Sequence, residues 1–308
     1  MKLLSYNNWI KEVTSNAFKN AKYLNLTEGK VHYTDVGNPK GIPIIHFHGS
    51  PAGADVGLYF FDEFIKEGFR IITMSRPGFL GTDITLGKTI DEQADLYKTF
   101  IDGLKLKKII IHAWSAGGPP AIKFAEKYSN NIKGMILFCA LSVKWNHKIT
   151  FFEKLVLSSF GMYALYVASR IFVSSIRKKC AIELGADYGY IKKDNNRLEL
   201  LDKFLQLTAP PKLRNPGSFN DIENYSKMRP FDFKSIKTET LILFSPSDNQ
   251  LEIKNGDVPA NEMLNCKYVK FKHGGHMPQL GKEWKFLFDE ILNFTKTASF
   301  KINKHEGF

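Results

Sequence analysis

One serine lies where a strand-like run of residues stops. Residues 112–120 read HAWSAGGPP, directly after the apolar run KKIII. That β-branched run predicts a buried strand, and the following PAIKFAEKY resumes with the spacing of a helix. Ser115 therefore falls in the turn between them, with the small residues Ala113 and Gly117 two positions to either side. This pattern is typical of a nucleophile elbow, although a serine here could instead only cap the helix.

A serine hydroxyl becomes a useful nucleophile when a base takes its proton and an acid orients that base. Both partners are expected later in the chain, on loops that follow strands. Asp248 is the first carboxylate after the strand-like run TLILF. The segment HGGHMP, which follows the run KYVKFK, offers His273 and His276. We prefer His276, because the two glycines before it allow the loop to fold back over Ser115.

Acyl transfer also needs two backbone N–H groups that stabilise the negative charge on the carbonyl oxygen. One is expected from Ala116, directly after the serine. The other is expected from the segment HGSP, where Ser50 is the candidate donor and Gly49 lets the backbone approach the substrate. His48 is interpreted as a residue that hydrogen-bonds within its loop, since His276 already fills the role of base.

Composition narrows the class of protein. The 308 residues carry a formal net charge of +12, but the basic residues are spread along the chain and no nucleic-acid motif accompanies them. Three widely separated cysteines, without a CxxC motif, predict free thiols in a reducing compartment and a cytoplasmic protein. No signal peptide is predicted from the polar N-terminal residues. His46 and His112 fall within strand-like runs and are interpreted as core residues or residues that support the site. His46 and His48, spaced two apart, could suggest a metal, but no Asp or Glu cluster accompanies them, so no metal is predicted. No other cofactor is predicted.

Strand-like and helix-like segments alternate, which predicts an α/β fold with a mostly parallel sheet covered by helices on both faces. Thr89 and Glu92 form a predicted capping box at the start of one helix. In parallel sheets, sites form at the carboxyl ends of the strands, where Ser115 is expected. The predicted strands lie at 30–35, 42–48, 69–75, 108–113, 132–140, 238–245 and 267–272.

The segments HFHGSP, SRPGFLGTD, HAWSAGGPPA, SPSDNQ and HGGHMP together resemble the α/β-hydrolase superfamily, particularly its small esterase-like members with a helical cap. The resemblance implies a catalytic triad of Ser115, Asp248 and His276. The chain departs from the family pattern where Ala113 replaces the usual first glycine of the elbow, where Ser75 stands for a common Asp, and where Leu80 stands for a second glycine. Relatives that open epoxides or remove halides use an Asp nucleophile, so a serine argues against both chemistries.

The sheet pattern predicts a hydrolase core at 1–140 and 233–298, a helical cap at 141–232 and a polar tail at 299–308. Within the cap, 155–169 carries no charged residue. A membrane span here would separate Ser115 from its partners, so a cap helix facing the substrate is the preferred interpretation. Contact of this apolar segment with a membrane surface is the alternative, because basic residues follow it. The predicted substrate pocket consists of Trp114, Phe160, Met162, Tyr163 and Tyr166.

These observations predict a serine hydrolase that cleaves carboxylic esters with an apolar acyl or alcohol part through an acyl-enzyme. Two alternatives stay open: an acyltransferase or a C–C or C–N hydrolase on the same triad, and a non-hydrolytic binding protein of the same fold. The expected partner is a small-molecule ester. No nucleic-acid partner and no integral membrane span are expected, and the oligomeric state is left open.

Overall fold

The computed structural model describes residues 3–300. The last helix continues through the first two positions of the tail predicted at 299–308, and the rest of that tail lies outside the described residues. All descriptions below refer to this part of the chain.

Eight strands form one sheet in the order β1-β2-β4-β3-β5-β6-β7-β8 in the described residues. β2 pairs antiparallel with β1 and β4, and the strands from β4 to β8 run parallel. The mostly parallel α/β sheet predicted from the sequence is therefore confirmed. The strands are β1 (Lys22–Asn25), β2 (Lys30–Gly37), β3 (Pro43–Phe47), β4 (Arg70–Met74), β5 (Ile109–Ser115), β6 (Ile132–Ala140), β7 (Thr240–Phe244) and β8 (Cys266–Lys270).

The central strands are apolar on both faces because helices cover the sheet from both sides. In β5, Ile109, Ile111 and Ala113 join one buried cluster, and Ile110 and Trp114 join the other. Neighbouring residues of a strand point to opposite faces, so a strand buried on both faces reads as a continuous apolar run. This is why the strand pattern was readable from the sequence.

Twelve helices are described. α3 begins with the predicted capping box, in which the Thr89 hydroxyl accepts from the Glu92 N–H at 3.1 Å. α4 has prolines in its first turn, where the N–H group that proline lacks would have no partner within the helix. The helices are α1 (Tyr6–Ala17), α2 (Asp62–Lys66), α3 (Ile90–Gly103), α4 (Gly118–Tyr128), α5 (Phe151–Val156), α6 (Ser159–Ile171), α7 (Val173–Glu183), α8 (Tyr188–Ile191), α9 (Asn195–Gln206), α10 (Asn215–Ser226), α11 (Lys254–Glu262) and α12 (Trp284–Phe300).

The N-terminal helix packs on the segment predicted as a cap. Trp9 of α1 lies against Tyr163 and Tyr166 of α6, with ring centroids 5.5 and 5.9 Å apart. The Tyr163 hydroxyl donates to the Leu4 carbonyl at 2.9 Å, and the Leu4 N–H donates to the Tyr166 hydroxyl at 3.2 Å. Neither this contact nor strand β1 was predicted from the sequence. The division into core and cap stays a prediction.

No single helix among the described residues is both long and apolar enough to span a membrane. By length and composition, α6 and α7 pass this test only as a pair, and the chain bends by 118° between them.

Two histidines are buried side by side in the sheet. Nδ1 of His46 lies 3.0 Å from the His112 carbonyl oxygen, and the His112 ring packs against Phe61 and Phe138. Burial lowers the pKa of His112 to about 3. Burial, together with the neighbouring His112, also holds the pKa of His46 well below its usual value. Both rings are therefore neutral in the fold, as parts of the core.

We expect His112 to destabilise the fold on acidification. The unfolded chain binds a proton on this ring below its ordinary pKa and the folded chain does not, so stability falls as the pH drops. Between about pH 7 and pH 5 this amounts to about 2 kcal/mol. The variant His112→Leu should have a flatter dependence of the free energy of unfolding on pH, measured by urea denaturation. His147→Leu, at a partly exposed position, controls for the loss of any histidine; equal slopes for wild type and His112→Leu would contradict the prediction.

Candidate active site

Ser115 ends β5 in a backbone conformation that few residues other than glycine adopt. Its φ is +53°, in the left-handed region. The turn into α4 brings the next residues against the neighbouring strand, and a Cβ on Gly117 would lie 2.0 Å from the Phe47 carbonyl oxygen. A glycine is therefore required two positions after the serine. Ala113, two positions before it, is fully buried. Such strain in a tight strand-to-helix turn is a feature of a nucleophile elbow.

Hydrogen bonds hold this turn from several sides. The Gly117 N–H donates to the Trp114 carbonyl at 2.9 Å, and the Leu141 N–H donates to the Ser115 carbonyl at 2.8 Å. The Tyr225 hydroxyl, from α10, donates to the Ala116 carbonyl at 2.6 Å. Each bond satisfies a carbonyl in or beside the turn, so its strained backbone has little freedom to relax.

Asp248 and His276 meet at the carboxyl ends of β7 and β8. Nδ1 of His276 lies 2.8 Å from Oδ2 of Asp248, and both side chains are buried. The other carboxylate oxygen accepts from the N–H groups of Gln250 and Leu251 at 2.8 and 3.0 Å. A carboxylate only accepts hydrogen bonds, so Nδ1 carries the hydrogen and Nε2 is left as the acceptor.

Ser115 and His276 line the same small cavity, of about 70 Å³. In the described structure no hydrogen bond joins the serine hydroxyl to the imidazole. Catalytic hydrogen bonds are often long before substrate binds. The other lining residues are Gly49, Ser50, Pro51, Ala52, Trp114, Phe204, Leu207, Thr208 and Gln250.

The predicted oxyanion donors lie in the two turns beside the serine. Ser50 lines the cavity, and a Cβ on Gly49 would lie 2.9 Å from the Ser115 Cβ, so the two loops are in close contact. Ala116 follows Ser115 directly but is not among the lining residues. Within the described residues, neither the Ser50 N–H nor the Ala116 N–H donates to a protein acceptor. The Ser50 hydroxyl, in contrast, donates to the Ser218 hydroxyl at 2.9 Å.

His48 bonds to its own surroundings. Its Nδ1 lies 2.7 Å from the Gly49 carbonyl oxygen, and its Nε2 accepts from the Arg76 N–H at 2.9 Å. Burial, followed by the charge of Arg76, holds its pKa well below the usual value, so the ring is neutral. His273, the other candidate base, is partly exposed and bonds to Glu283 at 3.2 Å, away from Asp248.

Two buried ion pairs near the site were missed from the sequence. Arg76, in the motif SRPG, donates to both carboxylate oxygens of Asp221 in α10 at 2.7 Å, and its Nε donates to the His48 carbonyl at 3.0 Å. Arg214 likewise donates to both oxygens of Asp55 at 3.1 and 2.6 Å. Each pair joins residues about 150 positions apart in the chain, so no local pattern could reveal the partner. The only sequence signal was an arginine directly after a predicted strand.

The end of α7 is tied to the loops that carry Asp248 and His276. The His276 N–H donates to the Leu184 carbonyl at 2.7 Å. The side-chain amides of Asn249 and Gln250 donate to the carbonyls of Ile182 and Glu183 at 2.7 and 2.8 Å. The last carbonyls of a helix lack partners within the helix. Here the two loops supply them, and this role of the segment SPSDNQ was not foreseen.

The predicted substrate pocket is only partly brought together. Trp114 lines the cavity at Ser115, but Phe160, Met162, Tyr163 and Tyr166 do not. α6 turns Met162 and Tyr166 toward α1 and α9, where they line a second, apolar cavity of about 380 Å³. Phe160 is mostly exposed. The end of α9, rather than α6, covers the serine: Phe204 and Leu207 line the first cavity, and Thr208 lines both.

The comparisons with known proteins agree with this fold. A family model for the alpha/beta hydrolase fold matches residues 42–283. The chain belongs to the alpha/beta hydrolase family. The fold of an alpha/beta hydrolase fold protein from Nakamurella multipartita is similar, with a TM-score of 0.78 at 21% identity over 91% of this chain and 98% of that one.

Two curated relatives of this alpha/beta hydrolase match over part of the chain. The uncharacterized hydrolase YcgS of Bacillus subtilis is 32% identical over 38% of the chain and 40% of its own length. A 2-hydroxy-6-oxononadienedioate/2-hydroxy-6-oxononatrienedioate hydrolase of Paraburkholderia phymatum is 31% identical over 41% of the chain and 46% of its own length. The chain thus matches less than half the length of these relatives.

We expect the buried pair of Arg76 and Asp221 to be essential for stability. Asp221→Asn leaves the guanidinium buried without its counter-charge, and breaking such a pair costs about 3 to 5 kcal/mol. The free energy of unfolding, from urea denaturation, measures this loss. Glu223→Gln is the matched control, because it removes an exposed carboxylate from the same helix and should leave stability unchanged. A small loss for Asp221→Asn would contradict the prediction.

Proposed function

We propose that the chain is a serine hydrolase that cleaves carboxylic esters with an apolar acyl or alcohol part through Ser115, His276 and Asp248. The observation that carries the proposal is that a serine in a strained elbow shares a cavity with a histidine whose far ring nitrogen bonds to a buried carboxylate. This combination matches the roles that nucleophilic acyl transfer needs.

In the proposed reaction, Nε2 of His276 takes the hydroxyl proton as Ser115 Oγ attacks the ester carbonyl. The proton then passes to the oxygen of the leaving alcohol, and the acyl group remains on the serine. Water enters next and gives a proton to Nε2 as its oxygen attacks the acyl carbon. The bond between this carbon and Ser115 Oγ then breaks, Oγ takes the proton back from Nε2, and the acid is released. Asp248 stabilises the positively charged imidazole in both steps, because its carboxylate faces Nδ1 from a buried position.

The proposed oxyanion donors are the backbone N–H groups of Ser50 and Ala116. Their support is that both groups lie in turns in contact with Ser115 and that neither has a protein acceptor among the described residues. An N–H group held without a partner beside the reacting carbonyl stabilises charge where it develops, without reorganisation.

The cavity lining favours an uncharged substrate. Trp114, Phe204 and Leu207 supply apolar surface, and none of the described lining residues is lysine or arginine. The Paraburkholderia relative is named for a hydroxy-oxo diacid, whose carboxylates would need cationic partners when buried. The lining therefore favours an ester with an apolar part over a dianionic substrate.

The second cavity supplies room for a longer apolar group. Its volume of about 380 Å³ lies in the range of small-molecule sites. Its lining is mostly apolar, with Trp9, Val13, Met162 and Leu205, although Arg170 and Arg177 also border it. Thr208 borders both cavities, so a chain attached at Ser115 would pass this residue to reach the second one. Met162 and Tyr166, two residues of the predicted substrate pocket, would then line the outer part of the site.

Ser115→Ala should lower kcat/KM for p-nitrophenyl butyrate by about 10⁴-fold or more, because no other group supplies the nucleophile. His276→Ala should cause a loss of similar size. A fluorophosphonate probe should label the wild type and leave Ser115→Ala unlabelled.

The matched control for the base is His273→Ala, which removes a histidine of the same loop that bonds to Glu283. It should keep most of the activity. If His273→Ala is inactive and His276→Ala is active, or if the probe still labels Ser115→Ala, the proposed site is wrong.

The substrate class is tested with methyl butyrate and the monomethyl ester of succinic acid, which differ only in whether the far end is a methyl or a carboxylate. Hydrolysis, followed by acid release in a pH-stat, should favour methyl butyrate by at least about tenfold in kcat/KM. The reason is that a carboxylate desolvated in the cavity at Ser115 would have no cationic partner, since none of the described residues that line this cavity is lysine or arginine. A preference for the charged ester would instead favour a dianionic substrate.

A further inference from the structure

Helix α6 has a second apolar side besides the one that packs on α1. Met162, Tyr163 and Tyr166 are turned toward Trp9 of α1 and the second cavity. The second side, about 120° around the helix, carries Phe160, Ala164, Val167 and Ile171, of which only Val167 is partly buried. Phe160 is 74% exposed, and no polar residue interrupts this face. A helix face of this kind requires an explanation, because surface helices normally present polar residues to water.

The helices next to α6 in the chain also carry exposed apolar residues. Phe151 and Phe152, in the first turn of α5, are 84% and 70% exposed, and Phe172, at the junction of α6 and α7, is 61% exposed. We define the cap apolar face as these three phenylalanines together with Phe160 and Ile171. Large apolar side chains concentrated in one short segment mark an interaction site rather than the usual scatter of single exposed residues.

The charge beside this face is strongly positive. Exposed basic residues accompany it on the same segment: Lys148, Lys154, Arg170, Lys178 and Lys179. Between positions 148 and 179 the only acidic residue is Glu153, which caps α5 and pairs with His147 at 3.2 Å. A second copy of this chain would bring equal positive charge against the face, whereas an anionic surface would complement it.

We propose that the cap apolar face docks on the surface of lipid bilayers that contain anionic lipid. The phenylalanines enter the boundary between head groups and acyl chains, and the lysines contact the head groups, as in helices that lie in the membrane interface. This docking does not depend on the proposed triad, because none of its residues lines the cavity at Ser115.

The test uses the full chain in flotation with vesicles of phosphatidylcholine, with and without phosphatidylglycerol. Wild type should float with the anionic vesicles and be released by high salt. Phe151→Ser/Phe152→Ser should lower the partition coefficient by at least about tenfold, since each change removes an apolar ring from the interface. Lys178→Glu/Lys179→Glu should lower binding to the anionic vesicles and leave binding to neutral ones unchanged.

The matched control is Leu264→Ser/Phe286→Ser, which removes two exposed apolar side chains outside the cap segment and should bind like the wild type. Hydrolysis of p-nitrophenyl butyrate in free solution should be unchanged in all these variants, so failure of docking and failure of the proposed catalysis are distinguishable. The proposal is overturned if wild type does not float, if Phe151→Ser/Phe152→Ser floats equally well, or if that variant converts a wild-type dimer to a monomer in analytical ultracentrifugation.

Discussion

The backbone of Ser115 is the constraint on which the geometry of the candidate site depends. Its left-handed conformation requires the close approach of two loops, and that approach excludes a side chain at Gly117 and at Gly49. An L-residue in this conformation persists only where its surroundings hold it. Here the sheet supplies one side through Leu141, and Tyr225 of α10 supplies another. The strain of one residue is thus balanced by contacts from three distant parts of the chain.

Two buried ion pairs also hold distant parts of the chain in place near the candidate site. Arg76 bonds to the carbonyl of His48 and, through Asp221, to α10, so one guanidinium fixes both the loop before Ser50 and the helix that holds the elbow. A buried pair is weak evidence for added stability, because desolvation opposes its attraction. Its bidentate geometry, however, defines one arrangement of the parts that it joins. The buried pair of Arg214 and Asp55 has the same bidentate form.

The sequence allowed the parallel sheet, the elbow and the order of Ser115, Asp248 and His276 to be predicted, because each depends on local periodicity or on small residues in a turn. Contacts between distant residues were not predictable in this way. No feature of the neighbouring sequence distinguishes Asp221 from a carboxylate on the surface. The short strand β1 is recognised only by its pairing with β2. The orientation of α6 was also open, because a helix without a polar side offers no signal of which side is buried.

That orientation is decided by α1, the element for which the sequence suggested no role. Trp9 covers the side of α6 that carries Tyr163 and Tyr166. The Tyr163 hydroxyl donates to the Leu4 carbonyl and the Tyr166 hydroxyl accepts from the Leu4 N–H, and both bonds fix the contact. With this side covered, Phe160 is left on the outside of α6, and the end of α9 rather than α6 covers Ser115. The contact of α1 with α6 thus accounts for which apolar surface the cap segment presents to its surroundings.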